Sequence, residues 1–237
     1  MIKVIGQKCI VCQRLFKKPN VQKMSNLPPE RIEPFKPPFT YVGLDCFGPF
    51  AVKLGRSEVK RYGCVFTCFT TRAVHIEKID SLEADTFLNA FRRFVARRGS
   101  PKKVWSDNGT NFIGSQSEIK KATMQLNDKQ IKDFSRKNEI EWHFNPPHAS
   151  HMGGVWERLI RTIRKVLVVT LRNTTIRDDV LSTLFCEAEA ILNSRPLTKV
   201  SDDPQDISAL TPNHLLLMRS GPAPPPRVFV QNDVYAK

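Results

Sequence analysis

Residues Asn145–Arg161 read N-P-P-H-A-S-H-M-G-G-V-W-E-R-L-I-R, and this run separates two opposite periodicities. Before it, Glu141–Phe144 is short and rich in aromatic residues, the pattern of a strand. Asn145-Pro146-Pro147 must break that strand, because proline cannot donate to a ladder. After the run, Leu159, Ile160, Ile163, Val166 and Leu167 recur at three- and four-residue spacing. That spacing predicts a long amphipathic helix from about Gly154 to Leu171, with Glu157 near its start.

Upstream, V-W-S-D-N-G-T-N-F (Val104–Phe112) ends a short strand, Val104–Ser106, on Asp107. Further back, Y-V-G-L-D-C-F-G-P-F (Tyr41–Phe50) carries Asp45 in an apolar strand, Tyr41–Phe47, closed by Gly48-Pro49. Tyr62–Thr70 and Ala73–Ile79 read as two more strands. The links among these first three are too short for helical crossovers, so an antiparallel meander is expected. Asp80-Ser81-Leu82-Glu83 offers a capping box to a helix whose Phe87, Ala90, Phe91, Phe94 and Val95 share one face. Gly99-Ser100-Pro101 ends that helix. One or two helices are expected in residues 115–137 and another over Asp178–Asn193. Three strands, helix, strand, helix, strand, long helix is an α/β order.

The chain has 237 residues, 37 Lys and Arg against 23 Asp and Glu, and a formal net charge of +14. Charge says nothing about fold, but an excess of this size favours polyanions through counterion release and electrostatic steering. Nothing approaches the ~18 consecutive apolar residues of a membrane span. Lys3 and Lys8 interrupt the first apolar run, and no small-residue cleavage site follows, so a secretory signal is not expected. The six cysteines then read as reduced thiols. Cys46, Cys64 and Cys68 lie in apolar strand runs and Cys186 in a helix, the settings of small buried hydrophobes.

Asp45, Asp107 and Glu157 each have a bland reading. Asp45 could be a hydrogen-bonded strand residue, Asp107 the start of a turn, and Glu157 a carboxylate favouring a helix N-terminus. Taken together they make an all-oxygen donor set from two strands and a helix, the kind that holds Mg²⁺. In a basic chain such a set points to phosphodiester chemistry on nucleic acid.

These three segments resemble the retroviral integrase catalytic core, the rve domain of the RNase H-like superfamily, and in particular the integrases of BEL/Pao-type retrotransposons. The run around Glu157 and the later L-T-P-N-H-L-L-L segment, Leu210–Leu217, are the most particular to that group. The resemblance implies a mixed five-stranded α/β sheet flanked by helices. It also implies 3′-end processing and strand transfer of element DNA. By the same likeness Asp45 bridges two Mg²⁺ or Mn²⁺ ions, Asp107 completes one site and Glu157 the other. Fifty positions separate Asp107 from Glu157, longer than the compact spacing usual in retroviral integrases. Glu139 and Glu141 would suit that spacing but lack the helix-entry context, so an insertion around residues 115–138 is expected and Glu157 is kept.

DNA is the expected partner, with a homo-oligomer and no membrane. Asn111 could contact a DNA end or close an Asx turn; Arg161, Arg164, Lys165 and Arg172 follow Glu157 along one side of the helix as a phosphate track. His148 and His151 could touch phosphate or simply be satisfied in their loop. Residues 1–18 hold Cys9-Ile-Val-Cys12, which resembles half of a His-His-Cys-Cys finger; with two thiolates only, structural zinc is not expected. The organisation expected is a finger remnant at 1–18, a proline-rich linker at 19–38, the catalytic core at 39–200 and a mostly coiled extension at 201–237. An intracellular, nuclear protein is expected. Two alternatives stay open: an RNase H-like nuclease that cuts without joining, and a non-catalytic DNA-binding module derived from a transposon.

Overall fold

A computed structural model describes residues 26–106, 129–145, 154–171, 176–199 and 209–218. The elements are α1 (Pro29–Ile32), β1 (Tyr41–Leu54), β2 (Ser57–Cys68), β3 (Val74–Ile79), α2 (Ala84–Arg98), β4 (Lys103–Ser106), α3 (Lys129–Lys137), β5 (Glu141–Phe144), α4 (Gly154–Leu171), β6 (Ile176–Arg177), α5 (Asp178–Asn193) and α6 (Pro212–Leu217). Five strands run in the order β3-β2-β1-β4-β5, and the two-residue β6 joins as a sixth by pairing with β1. The first three strands are antiparallel to one another, as expected, while β4 and β5 continue the sheet in parallel. The architecture is a mixed α/β sheet flanked by helices.

Period-two alternation divides the core. Val42, Leu44, Cys64, Phe66 and Val104 face one side, where α2 covers them with Phe87, Ala90, Phe91 and Phe94 and α3 adds Ile131. Tyr41, Phe47, Val65 and Ile76 face the other. There α4 brings Trp156, Leu159, Ile160, Ile163 and Leu167, and α5 brings Leu181, Phe185, Ala188 and Leu192. Gly63 is needed beneath Phe47: a Cβ there would stand 2.4 Å from that ring.

Three local expectations are corrected. Cys186 is exposed on α5 and not buried. Gly48-Pro49 does not close β1. The peptide between them is cis, the β1–β2 register shifts between Phe47 and Phe50, and the strand continues to Leu54. A bulge is where a strand tolerates proline, because the missing N–H then breaks no ladder bond. The capping box at residues 80–83 is also not formed. Glu83 is the N-cap without a side-chain bond, and Thr86 Oγ1 instead donates to the carbonyls of Ser81 and Glu83.

On the outer side of β3 stands α5. Val74 N–H donates to Asn193 Oδ1 and Asn193 Nδ2 donates to the Val74 carbonyl, both at 2.8 Å. Ile76 N–H donates to Glu189 Oε2 at 2.9 Å. Among the described residues no helix is long and apolar enough to cross a membrane.

Candidate active site

β1 is the middle of the sheet, bonded to β2 on one side and β4 on the other. Asp45 sits on it opposite Val65, half-buried, on the side that α4 covers. One carboxylate oxygen, Oδ1, accepts from the backbone N–H of Cys46 at 2.8 Å. Two residues earlier on the same side is Gly43, and the indole of Trp156 lies directly on it. A Cβ at Gly43 would be 2.2 Å from Cε3 of that indole, so only glycine admits the helix at this depth. Trp156 is 1% exposed. Glu157 is the next residue and stands exposed in the first turn of α4. Two of the three expected carboxylates therefore belong to elements locked together by one glycine–tryptophan contact.

β4 approaches the same region. Ser106 pairs with Leu44, the residue before Asp45. Ser106 is buried and its Oγ accepts from Trp142 Nε1 of β5 at 2.9 Å, which fixes the end of β4. Trp105 packs on the α4 side, stacked between Phe69 and His143. Asp107 follows Ser106 in sequence and lies outside the described residues, as do Asn108, Gly109, Asn111, His148, His151 and Arg172, and the Cys9/Cys12 pair. Among the described residues no three His, Cys, Asp or Glu side chains are grouped as a metal requires. Glu139 and Glu141, the compact-spacing alternatives, flank the start of β5. Glu141 there engages Lys103 and His143.

The basic stripe is exposed. Arg158, Arg161, Arg164 and Lys165 all face solvent from α4, while Leu159, Ile160, Ile163 and Leu167 are buried beneath. Arg161, Arg164 and Lys165 make no ion pair among the described residues. A cationic ridge of this kind can take a phosphate backbone without first giving up a partner.

Sequence reasoning missed a second polar centre, on the β3 side of the sheet. His75 is buried, its Nε2 is 2.9 Å from Glu77 Oε1, and its Nδ1 is 3.3 Å from Glu189 Oε2. Arg93 and Arg97 of α2 reach Glu77, and Arg98 reaches Glu189. Burial works to lower the His75 pKa, but the hydrogen bonds to Glu189 and Glu77 outweigh it and hold it above its ordinary value. Burial also works to raise both carboxylates; bonds from His75 and, at Glu77, from Arg93 leave them net lowered. Glu189 is far from His75 in sequence, so no local motif could reveal this centre. Gly43 and Trp156 lie within the Tyr41–Phe50 and Asn145–Arg161 segments, and only their pairing was hidden.

No protein-family model matches the chain, and no curated protein matches it. Solved structures do match. A chain from the cryo-EM structure of the simian T-cell lymphotropic virus intasome in complex with PP2A regulatory subunit B56 gamma aligns with a TM-score of 0.54 at 14% identity. That alignment covers 97% of this chain and 69% of the other. The HTLV-2 integrase catalytic core domain, in complex with magnesium and in dimeric form, aligns with a TM-score of 0.46 at 16% identity, over 70% of this chain and 92% of that one. The intasome match is a likeness of fold alone.

Proposed function

We propose that this chain is the catalytic core of a DNA integrase from a BEL/Pao-type retrotransposon, performing metal-dependent 3′-end processing and strand transfer. The observation that carries the reading is the seating of Trp156 on Gly43, which fastens the helix of Glu157 to the strand of Asp45. We take Asp107 as the third carboxylate from its sequence context, directly after the strand that pairs beside Asp45.

The donor set fits Mg²⁺ or Mn²⁺: carboxylate oxygens are hard ligands, and neither ion needs more than a few of them. Such ions supply positive charge to the attacking and leaving oxygens of an in-line displacement. The remaining work belongs to the chain. Asp45 stands on the central strand with Oδ1 held by the Cys46 N–H, so its carboxylate is presented in a fixed direction. Glu157 lies in the first turn of α4, near the positive end of the helix dipole. Arg161, Arg164 and Lys165, with Asn111, hold the duplex so that its scissile phosphate reaches the carboxylates; contacts of this kind position a substrate without reading its sequence.

DNA, as element end and as target, is the partner in this reading, and the chain works as a homo-oligomer in the nucleus. The core is residues 39–200, preceded by a finger remnant at 1–18 and a linker at 19–38, and followed by an extension at 201–237. The test is incubation with a labelled terminal-repeat duplex and Mg²⁺ or Mn²⁺. Nicked 3′ ends together with joined products are expected. Nicks without joining would make the chain a nuclease, and binding with neither product a non-catalytic DNA-binding module.

A further inference from the structure

On the side of the sheet away from α4, Cys46 of β1 and Cys64 of β2 stand directly opposite one another in the antiparallel ladder. Both side chains lie on the side of the sheet that α2 covers. Residues opposed in this way have Cα atoms roughly 4.5–5.5 Å apart, inside the range of about 4.4–6.8 Å that a disulfide spans. Cys64 is fully buried, while Cys46 is half-buried and is the one a small oxidant can meet. Cys68 is engaged elsewhere: its Sγ accepts from the Phe39 N–H at 3.2 Å and lies 3.3 Å from Thr70 Oγ1. Cys186 is exposed on α5.

We propose that Cys46 and Cys64 are a reversible thiol switch, closing to a cross-strand disulfide one residue from Asp45. The oxidant is a peroxide. The Cys46 sulfur attacks one peroxide oxygen; the S–O bond forms, the O–O bond breaks, water leaves, and Cys46 becomes a sulfenic acid. The Cys64 sulfur then attacks the Cys46 sulfur. The S–S bond forms, the S–O bond breaks, and the hydroxyl departs as water with the Cys64 proton. Two thiols and one hydrogen peroxide give one disulfide and two waters. A dithiol reverses the reaction by exchange. Both thiols reduced is the resting state of an intracellular chain, and bridges there are transient and regulatory.

The consequence reaches Asp45 through the backbone. The N–H of Cys46 is the donor to Asp45 Oδ1. Drawing the Cys46 side chain onto Cys64 turns that peptide and shifts the carboxylate oxygen it meets. That this lowers catalysis rests on the reading of Asp45 as a metal ligand.

The test uses the full chain treated with hydrogen peroxide, alkylated under denaturing conditions, and digested with trypsin. Cleavage at Lys53, Arg56, Lys60 and Arg61 separates the two cysteines, so a bridge appears as two peptides joined until reduction, lighter by two hydrogens. Fragmentation of the joined species should place the link at Cys64; Cys68→Ala should keep it and Cys64→Ala should lose it. In ¹⁵N NMR of the wild type, the Cys46 amide should shift on oxidation and return with dithiothreitol. Nicking should fall on the order of 10²-fold, the scale of a misplaced catalytic group, and recover on reduction. Cys64→Ala should nick normally and ignore peroxide. A link to Cys68 or Cys186, over-oxidation of Cys46 with Cys64 still alkylatable, or an unmoved Cys46 amide would overturn the switch. A bridge and amide shift without nicking in either redox state would support the switch and count against the integrase reading.

Discussion

The indole of Trp156 occupies the space that a side chain on Gly43 would need: a Cβ there falls 2.2 Å from Cε3 and 2.6 Å from Cζ3. Neither neighbour can yield easily, since Trp156 is fully buried and Gly43 is on the central strand, with Phe69 Cε1 a further 2.9 Å from the same Cβ. Gly43→Ala should therefore destabilise the fold by about 1–3 kcal/mol, the usual cost of overpacking. It should also lift the start of α4, so DNA nicking should fall further than the stability loss explains. Denaturant titration and nicking assays on the same preparation check this; a stable, fully active variant would sever the link drawn between the two carboxylates.

Stability should depend on pH through the β3 centre. His75 is held above its ordinary 6.5, so its contribution is complete below that value and is lost as pH rises through the folded-state pKa. Glu77 and Glu189 are held below 4.5, so theirs is complete above it and is lost as pH falls through their folded-state values. Between these limits all three are charged and the centre is strongest. Melting temperature should decline from mildly acidic toward alkaline pH. His75→Gln should flatten that alkaline limb while keeping the acid one, as thermal melts across a pH series would reveal.

In the proposed site the carboxylates of Asp45, Asp107 and Glu157 would repel one another without a cation, so binding a divalent ion should stabilise the fold by linkage. Mg²⁺ or Mn²⁺ is expected to raise the melting temperature of the wild type. Asp45→Asn or Asp107→Asn should abolish both the shift and any nicking while leaving the circular dichroism spectrum unchanged. A variant that kept both responses to metal would show the assignment to be wrong.

For DNA binding, the exposed stripe on α4 should matter more than charge in general. Replacing Arg164 and Lys165 by Glu should weaken all duplexes alike and flatten the salt dependence, by roughly 0.9 in logarithmic slope for each phosphate that is no longer neutralised. Reversing Lys120 and Lys121, which belong to the 115–137 segment and lie outside the described residues, should do much less. Titrations at several salt concentrations compare the two pairs, and equal effects would mean diffuse attraction with no defined track.

Much of this was legible in the chain. The nearly continuous apolar runs Tyr41–Phe47 and Tyr62–Cys68 follow from burial on both faces of the sheet, and the three-four spacing through α4 from burial on one side of the helix. Gly48-Pro49 misled because proline is ordinarily a strand stop, and the bulge that accommodates it is set by pairing with β2, which no local window contains. The meeting of His75 with Glu189, like that of Gly43 with Trp156, is made by folding across more than a hundred residues. Asp45 and Glu157 stand out because their immediate neighbours carry a pattern; their shared anchorage carries none.

The Asn193 carboxamide has one more effect. By giving an acceptor to the N–H of Val74 and a donor to its carbonyl, it takes up the very pair of groups with which another chain would begin to pair. Glu189 occupies the next outward N–H, that of Ile76. The sheet is thus sealed at β3 against growth by adding strands, the route by which open edges polymerise. Copies of this molecule that meet on that flank must do so through the surfaces of their helices, as discrete bodies and not as one continuous ribbon.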